Sequence, residues 1–282
     1  MLQIMSKKII YHISLAKVKV AVVEDNGMAR TNIRNHLLDM GFAQISCFSN
    51  GRELKANLKS QRLDLLLMDF HLGQNKNGVE VVQDLLKQKQ ITHSTCVMFI
   101  TSDRLPMIIG QIVDVHPEAL VVKPYTIRNL VKNIYNCLAL HQYLMPVYEM
   151  MDDDNYPQAL VLLDLLIKEN AHPKKKSPLT KLRARLLTKL GRYSEAADLY
   201  RGILQQSDKV IWAKWGLIQS LFLDDYVEES ETLLRELTES ELTNDKACEW
   251  LARISVSNNQ YNKAENYMHK IREGELSIPA AR

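Results

Sequence analysis

Residues 18–25 read Val-Lys-Val-Ala-Val-Val-Glu-Asp, an apolar run that stops on two carboxylates, Glu24 and Asp25. The same design returns three times. Leu63–Met68 is apolar apart from Asp64 and stops on Asp69; Cys96–Ile100 stops on Thr101; Ala119–Val122 stops on Lys123, with Pro124 next. Continuous apolar runs of this length are expected of strands covered on both faces. Ala43–Cys47 adds a strand. Helical spacing fills the gaps: Ala29–Met40 (Ile33, Leu37, Leu38) closed by Gly41, then Gly51–Leu58, Val79–Leu86, Leu105–Val113 and a helix from Ile127 onward. Strands alternating with helices predict an α/β doubly wound, five-stranded parallel sheet with right-handed crossovers.

In an open parallel sheet, ligands bind outside the carboxyl ends of the strands. With strand order 2-1-3-4-5, Glu24, Asp25, Asp69, Thr101 and Lys123 converge on one crevice. A lone acidic pair after a strand is usually a solvated loop, and a lone threonine there a helix cap. Recurrence at successive strand ends points to a site instead. Three carboxylates together repel one another. A hard divalent cation such as Mg²⁺ relieves that repulsion. Asp69 is then placed to act as a carboxylate nucleophile toward a phosphoryl group, with Lys123 and Thr101 as donors to its oxygens.

The four stretches Val20–Asp25, Leu63–Asp69, Ile100–Thr101 and Val121–Pro124 resemble the receiver domain of bacterial two-component response regulators, over about residues 16–140. The resemblance implies a flavodoxin-like fold with Asp69 as phospho-acceptor. It implies Mg²⁺ held by Asp25, its partner Glu24, Asp69 and the backbone carbonyl of His71, with the His71 side chain an ordinary loop residue. It further implies Thr101 as switch hydroxyl, Lys123 as phosphate-pairing lysine and a cis peptide before Pro124. Three departures stand out. Glu24 is one methylene longer than the usual aspartate. Asn77–Gly78 lies one residue late, implying a lengthened loop. Leu120 occupies the position where an inward-turning aromatic is common.

The second half has no strand signal but does repeat. Tyr193-Ser-Glu-Ala196 returns as Tyr261-Asn-Lys-Ala264, an offset of 68, or twice 34. An intermediate copy carries Val227 and Ser230; an upstream copy, Tyr156-Pro-Gln-Ala159, lies 37 residues before the second. This spacing resembles tetratricopeptide repeats, which implies an all-α solenoid over 141–278 with units near 140–176, 177–210, 211–244 and 245–278. Asp225 falls where a turn glycine is usual. Pro146 is expected to kink or start a helix and to act as the joint with the receiver. Lys174–Lys176 read as a solvated connection. Trp212, Trp215 and Trp250 fall on first helices of repeats, mainly for packing, and are candidate partner-binding residues. The end of the array has no obvious polar cap, so it reads as a fragment or as a surface for a homodimer.

The 282 residues suit about two domains, and 46% hydrophobic with 24% charged residues excludes a disordered chain. Cys47, Cys96, Cys137 and Cys248 show no C-x-x-C pair, so free thiols in a cytoplasmic protein are expected. No apolar stretch is long enough for a membrane span, and Met1–Lys17 lacks a cleavage pattern. A net charge of +3 argues against RNA or DNA as partner. The expected function is a non-enzymatic, phosphorylation-gated adaptor. A sensor histidine kinase or phosphotransfer protein would load Asp69, and the repeats would bind a protein partner. Alternatives are a phosphate sink that competes for a kinase and a degenerate receiver that works as a scaffold without phosphorylation.

Overall fold

The computed structural model describes residues 14–271 apart from 59–61, 74–76, 103–107, 109–110, 113–114, 170–172 and 241–242, and apart from the side chains of 173–175. The helix expected over Leu105–Val113 lies largely outside the described residues. Two compact units form, with the main division after Asp152.

The first unit is built on β1 (Lys19–Val23), β2 (Gln44–Phe48), β3 (Leu65–Met68), β4 (Cys96–Thr101) and β5 (Ala119–Val122). All neighbours are parallel, in the order β2-β1-β3-β4-β5. Between them run α1 (Gly27–Asp39), α2 (Gly51–Asn57) and α3 (Gly78–Lys87), and α4 (Ile127–Asp152) follows β5. Strand residues alternate between faces. Val20, Val22, Leu65, Leu67, Cys96, Met98, Ile100 and Val121 form one core with Ile33 and Leu37 of α1 and Leu130, Ile134, Cys137 and Leu138 of α4. Ala21, Val23, Leu66, Met68, Val97 and Phe99 are buried on the other face. Burying each large side chain contributes about 1.5–3 kcal/mol. That explains why a four-residue strand such as β3 is stable at the centre. Asn26 caps α1 by accepting from the N–H groups of Met28 and Ala29, and Gly41 ends it with φ +96°.

No helix starts at Pro146, and the main division between the units falls after Asp152 rather than at Pro146. α4 continues through it as one 26-residue helix. Burial outweighs the proline: His141, Leu144, Val147, Tyr148 and Met151 are all buried beyond the sheet-covering part. At the last residue, the Asp152 carboxylate accepts from Thr92 Oγ1 (2.7 Å), His93 N (2.6 Å) and Ser94 N (3.1 Å), and from the Ser94 hydroxyl. These bonds tie α4 to the loop that enters β4.

The second unit contains α5 (Tyr156–Glu169), α6 (Pro173–Lys189), α7 (Tyr193–Gln206), α8 (Ile211–Leu223), α9 (Val227–Leu237), α10 (Asn244–Ser257) and α11 (Tyr261–His269). Each packs on the next. Lys174–Lys176 lie in the first turn of α6, which Pro173 opens, rather than in a connection. The tight turns carry left-handed residues at Asp154, Gly191, Asp225 and Asn259. Their separations are 37, 34 and 34, the sequence offsets of the repeat. After three of them the next N–H reaches back five residues: Arg192 to Leu187 O, Tyr226 to Leu221 O and Gln260 to Ser255 O, at 2.8–2.9 Å. That is a helix stop of the Schellman kind, and Asp and Asn enter the left-handed region at modest cost. Five residues beyond each turn residue stand Ala159, Ala196, Ser230 and Ala264, all buried.

Gly216 of α8 meets the ring of Tyr200 so closely that an added Cβ would lie 2.2 Å from it. Gly216→Ala is expected to destabilise the protein by about 1–3 kcal/mol through overpacking, read as a lower urea midpoint. Among the described residues no helix is long and apolar enough to cross a membrane.

Candidate functional site

The carboxyl ends of β1, β3, β4 and β5 bring the sequence-selected residues together. Glu24 follows β1, with its N–H donating to Phe48 O at 3.1 Å and its side chain 3% exposed. Asp69 follows β3; its N–H donates to Val23 O at 2.9 Å and its Oδ1 accepts from Phe70 N at 2.8 Å. Asp25 is exposed. One carboxylate oxygen from each of Glu24, Asp25 and Asp69 lies within 4.8 Å of the other two. Lys123 reaches across from the end of β5: its Nζ is 2.6 Å from Glu24 Oε2 and 3.0 Å from Asp69 Oδ2. Thr101 ends β4 fully buried, and its carbonyl accepts from Lys123 N at 2.7 Å. The Lys123–Pro124 peptide is cis, as expected.

Burial is the main influence on Glu24 and raises its pKa; the bond from Lys123 opposes this, and the Asp69 charge adds to it. Burial pulls the Lys123 ammonium the other way, but its bonds and charges with Glu24 and Asp69 outweigh burial and raise its pKa. The cluster thus holds three carboxylates and one lysine, a net charge of −2 with all ionised. Oxygen donors with that surplus fit a hard divalent cation. A raised Glu24 pKa also fixes a pH dependence. Its stabilisation is complete below the ordinary value of 4.5 and is lost as pH rises through the higher folded value. Glu24→Gln is therefore expected to flatten that acid-side slope in the cation-free protein, checked by thermal unfolding across the range.

Gly73, after β3, comes close to this corner. Gly73 has φ +75°, and a Cβ there would lie 3.9 Å from Asp25 Oδ2. His71 is exposed, with its ring edge-on to Phe70 at 4.9 Å. Part of the expected lengthened loop, 74–76, lies outside the described residues. Gly78, noted in the sequence only for its late position with Asn77, sets the acceptor's position. A Cβ there would lie 2.1 Å from Asp69 O and 2.9 Å from Met68 Cγ. Its N–H donates to Phe70 O at 2.7 Å. Asn77 and Glu80 form a capping box at the start of α3 (2.9 and 3.1 Å). The Asn-Gly-x-Glu pattern was the available signal for that cap. Gly78→Ala is expected to displace the Asp69 backbone and cost about 3 kcal/mol, the upper end for overpacking, measured by urea unfolding. Tyr125 is a second unselected neighbour. Burial raises its pKa, and the charges of Lys123, Glu24 and Asp69 act on it.

Leu120 on β5 is half-buried and Pro124 exposed. The three tryptophans belong to the second unit and take part in packing. Trp212 meets Tyr200 edge-on at 6.1 Å, Trp250 meets Phe222 at 5.9 Å, and Lys246 Nζ lies 4.8 Å over the ring of Trp215. All three are half-buried.

The family model of the response regulator receiver domain matches residues 20–135. No curated protein matches the chain. Among solved structures, a CheY-like response regulator receiver domain protein from Methanospirillum hungatei JF-1 is 17% identical, with 45% of this chain and 97% of that one covered at a TM-score of 0.41. The chemotaxis response regulator CheY4 of Vibrio cholerae is 24% identical, with 43% and 98% covered at 0.39. The N-terminal domain of a response regulator/sensory box/GGDEF protein from Carboxydothermus hydrogenoformans is 24% identical, with 44% and 97% covered at 0.40.

Proposed function

We propose that the chain is a phosphorylation-gated adaptor of a two-component system. The first unit accepts a phosphoryl group on Asp69 from a histidine kinase or phosphotransfer protein, and the second binds a protein partner in a manner that depends on it. The observation that carries the proposal is the Glu24–Asp25–Asp69 cluster bridged by Lys123. The receiver-domain match over residues 20–135 supports it.

A carboxylate oxygen of Asp69 attacks phosphorus, the phosphohistidine N–P bond breaks, and the donor imidazole leaves. Mg²⁺, when bound by Glu24, Asp25 and Asp69, supplies charge neutralisation for the phosphoryl oxygens. Lys123 shifts from bridging two carboxylates to pairing with the new phosphoryl charge, and the Thr101 hydroxyl donates to it. Glu24 and Asp69 are held in place by strand-end hydrogen bonds, so little reorganisation is needed.

The second unit supports the adaptor reading. Helix hairpins repeating at 34 residues form solenoids whose stacked faces bind proteins. The chain passes from α4 to α5 through only Asp153–Asn155. The chemistry is tested by exposing the full chain to a small acyl-phosphate donor with and without Mg²⁺. One base-labile phosphoryl group on the peptide containing Asp69, formed only with Mg²⁺, is expected. Absence of Mg²⁺-dependent incorporation would sink the reading.

A further inference from the structure

A second set of ligand-type side chains is buried in the first unit, at the other end of the sheet. Cys96 opens β4, Glu118 immediately precedes β5, and His141 lies on α4. β4 runs from Cys96 to Thr101, so this cluster is about 17 Å from the phospho-acceptor end of the strand. One ligand atom each of Cys96, Glu118 and His141 lies within 4.8 Å of the other two. Cys96 is fully buried and the His141 side chain is 3% exposed. Glu118 is already oriented: Oε2 accepts from Val97 N at 2.8 Å, and Oε1 lies 3.0 Å from His141 Nδ1. The imidazole is stacked on Tyr148 at 4.6 Å, while its Nε2 is buried with no hydrogen-bond partner among the described residues. Cys137, one helical turn before His141, is buried in the same core as Cys96.

A histidine–glutamate hydrogen bond in a core explains only part of this. It leaves one ring nitrogen without a partner and sets two thiols near a carboxylate, where an apolar core would need neither. Thiolate, imidazole and carboxylate together are the donor set of zinc-type sites. Bond lengths in such sites place ligand atoms roughly 3.3–3.8 Å apart, so a 4.8 Å cluster closes with small side-chain adjustments.

We propose that Cys96, Glu118 and His141 form a three-ligand site for a soft divalent cation of the zinc class. Binding forms a metal–sulfur bond to Cys96 and releases its thiol proton to solvent. It ties the first residues of β4 and β5 to α4, independently of Asp69. The Val97 N–H bond to Glu118 would serve to orient that ligand.

The test uses the full chain, reduced and stripped of metal, with Co²⁺ as spectroscopic probe and Zn²⁺ titrated against a chromophoric chelator. One equivalent of Co²⁺ should give a thiolate-to-cobalt charge-transfer band and tetrahedral d–d bands, displaced by Zn²⁺. Cys96→Ser should lose most of the charge-transfer intensity. Glu118→Gln and His141→Gln should weaken Zn²⁺ binding at least tenfold. Asp25→Asn, in the other cluster, and Cys248→Ser, in the second unit, should leave the band intact. If Cys96→Ser does not fold by circular dichroism, Glu118→Gln and His141→Gln carry the test. No thiolate band in the folded wild type, or a band and Zn²⁺ affinity unchanged in the variants, overturns the site.

Discussion

Asp69→Asn should abolish Mg²⁺-dependent phosphoryl incorporation, a loss to background rather than a partial fall. The substitution keeps the shape of the side chain and an oxygen to accept from Phe70 N, so the turn after β3 is preserved. It removes the nucleophile. It also removes the Asp69 charge, which adds to the larger effect of burial in raising the Glu24 pKa, while Lys123 keeps its 2.6 Å partner in Glu24. Folding stability of the cation-free protein should therefore be unchanged or higher at neutral pH. Intact-mass measurement with a small phosphodonor, paired with thermal unfolding, checks both parts. Incorporation that survives in Asp69→Asn would move the acceptor to Asp25 or Glu24.

Lys123→Met is expected to have the largest effect on stability. Lys123 Nζ is the shared cation for two nearly buried carboxylates, at 2.6 and 3.0 Å. Breaking a buried pair by deleting one partner costs about 3–5 kcal/mol. The lysine side chain is 22% exposed, which favours the lower end. The sign of the pH dependence follows. Without the lysine, Glu24 loses the bond that lowers its pKa, so its folded value rises further above 4.5. The lost stability should return as pH falls toward that ordinary value and be deepest at neutral pH. In wild type the lysine's own raised pKa means its contribution persists up to its ordinary 10.5 and fades above it. Urea unfolding at about pH 5 and about pH 8, with and without Mg²⁺, measures this; Mg²⁺ should restore part of the loss at the higher pH.

The strands were legible because each is covered on both faces, so their apolar runs are continuous and their functional residues sit just past the last apolar position. The convergence of Glu24, Asp69 and Lys123 followed from strand order alone. The repeat was legible for a related reason: the small residues Ala159, Ala196, Ser230 and Ala264 recur, buried, five residues past each turn residue. Asp225 and Asn259 stand at their turns without a glycine, because Asp and Asn enter the left-handed region at modest cost. Pro146 misled because its local cost is outweighed by five buried neighbours on α4 and by the Asp152 bonds to residues 92–94. Gly78 could not be recognised as a spacer for Asp69 until the approach of α3 to β3 was known. Cys96, Glu118 and His141 are too far apart in sequence, and in no motif spacing, to be grouped before folding.

In the proposed adaptor, the state of Asp69 governs what the second unit binds. That dependence is tested most directly by affinity capture with the full chain, with and without beryllofluoride and Mg²⁺, which together mimic the acyl phosphate. Wild type and Asp69→Ala are run side by side. The set of captured proteins should change with beryllofluoride in wild type and stay the same in Asp69→Ala. Identical capture by wild type in both states would contradict it.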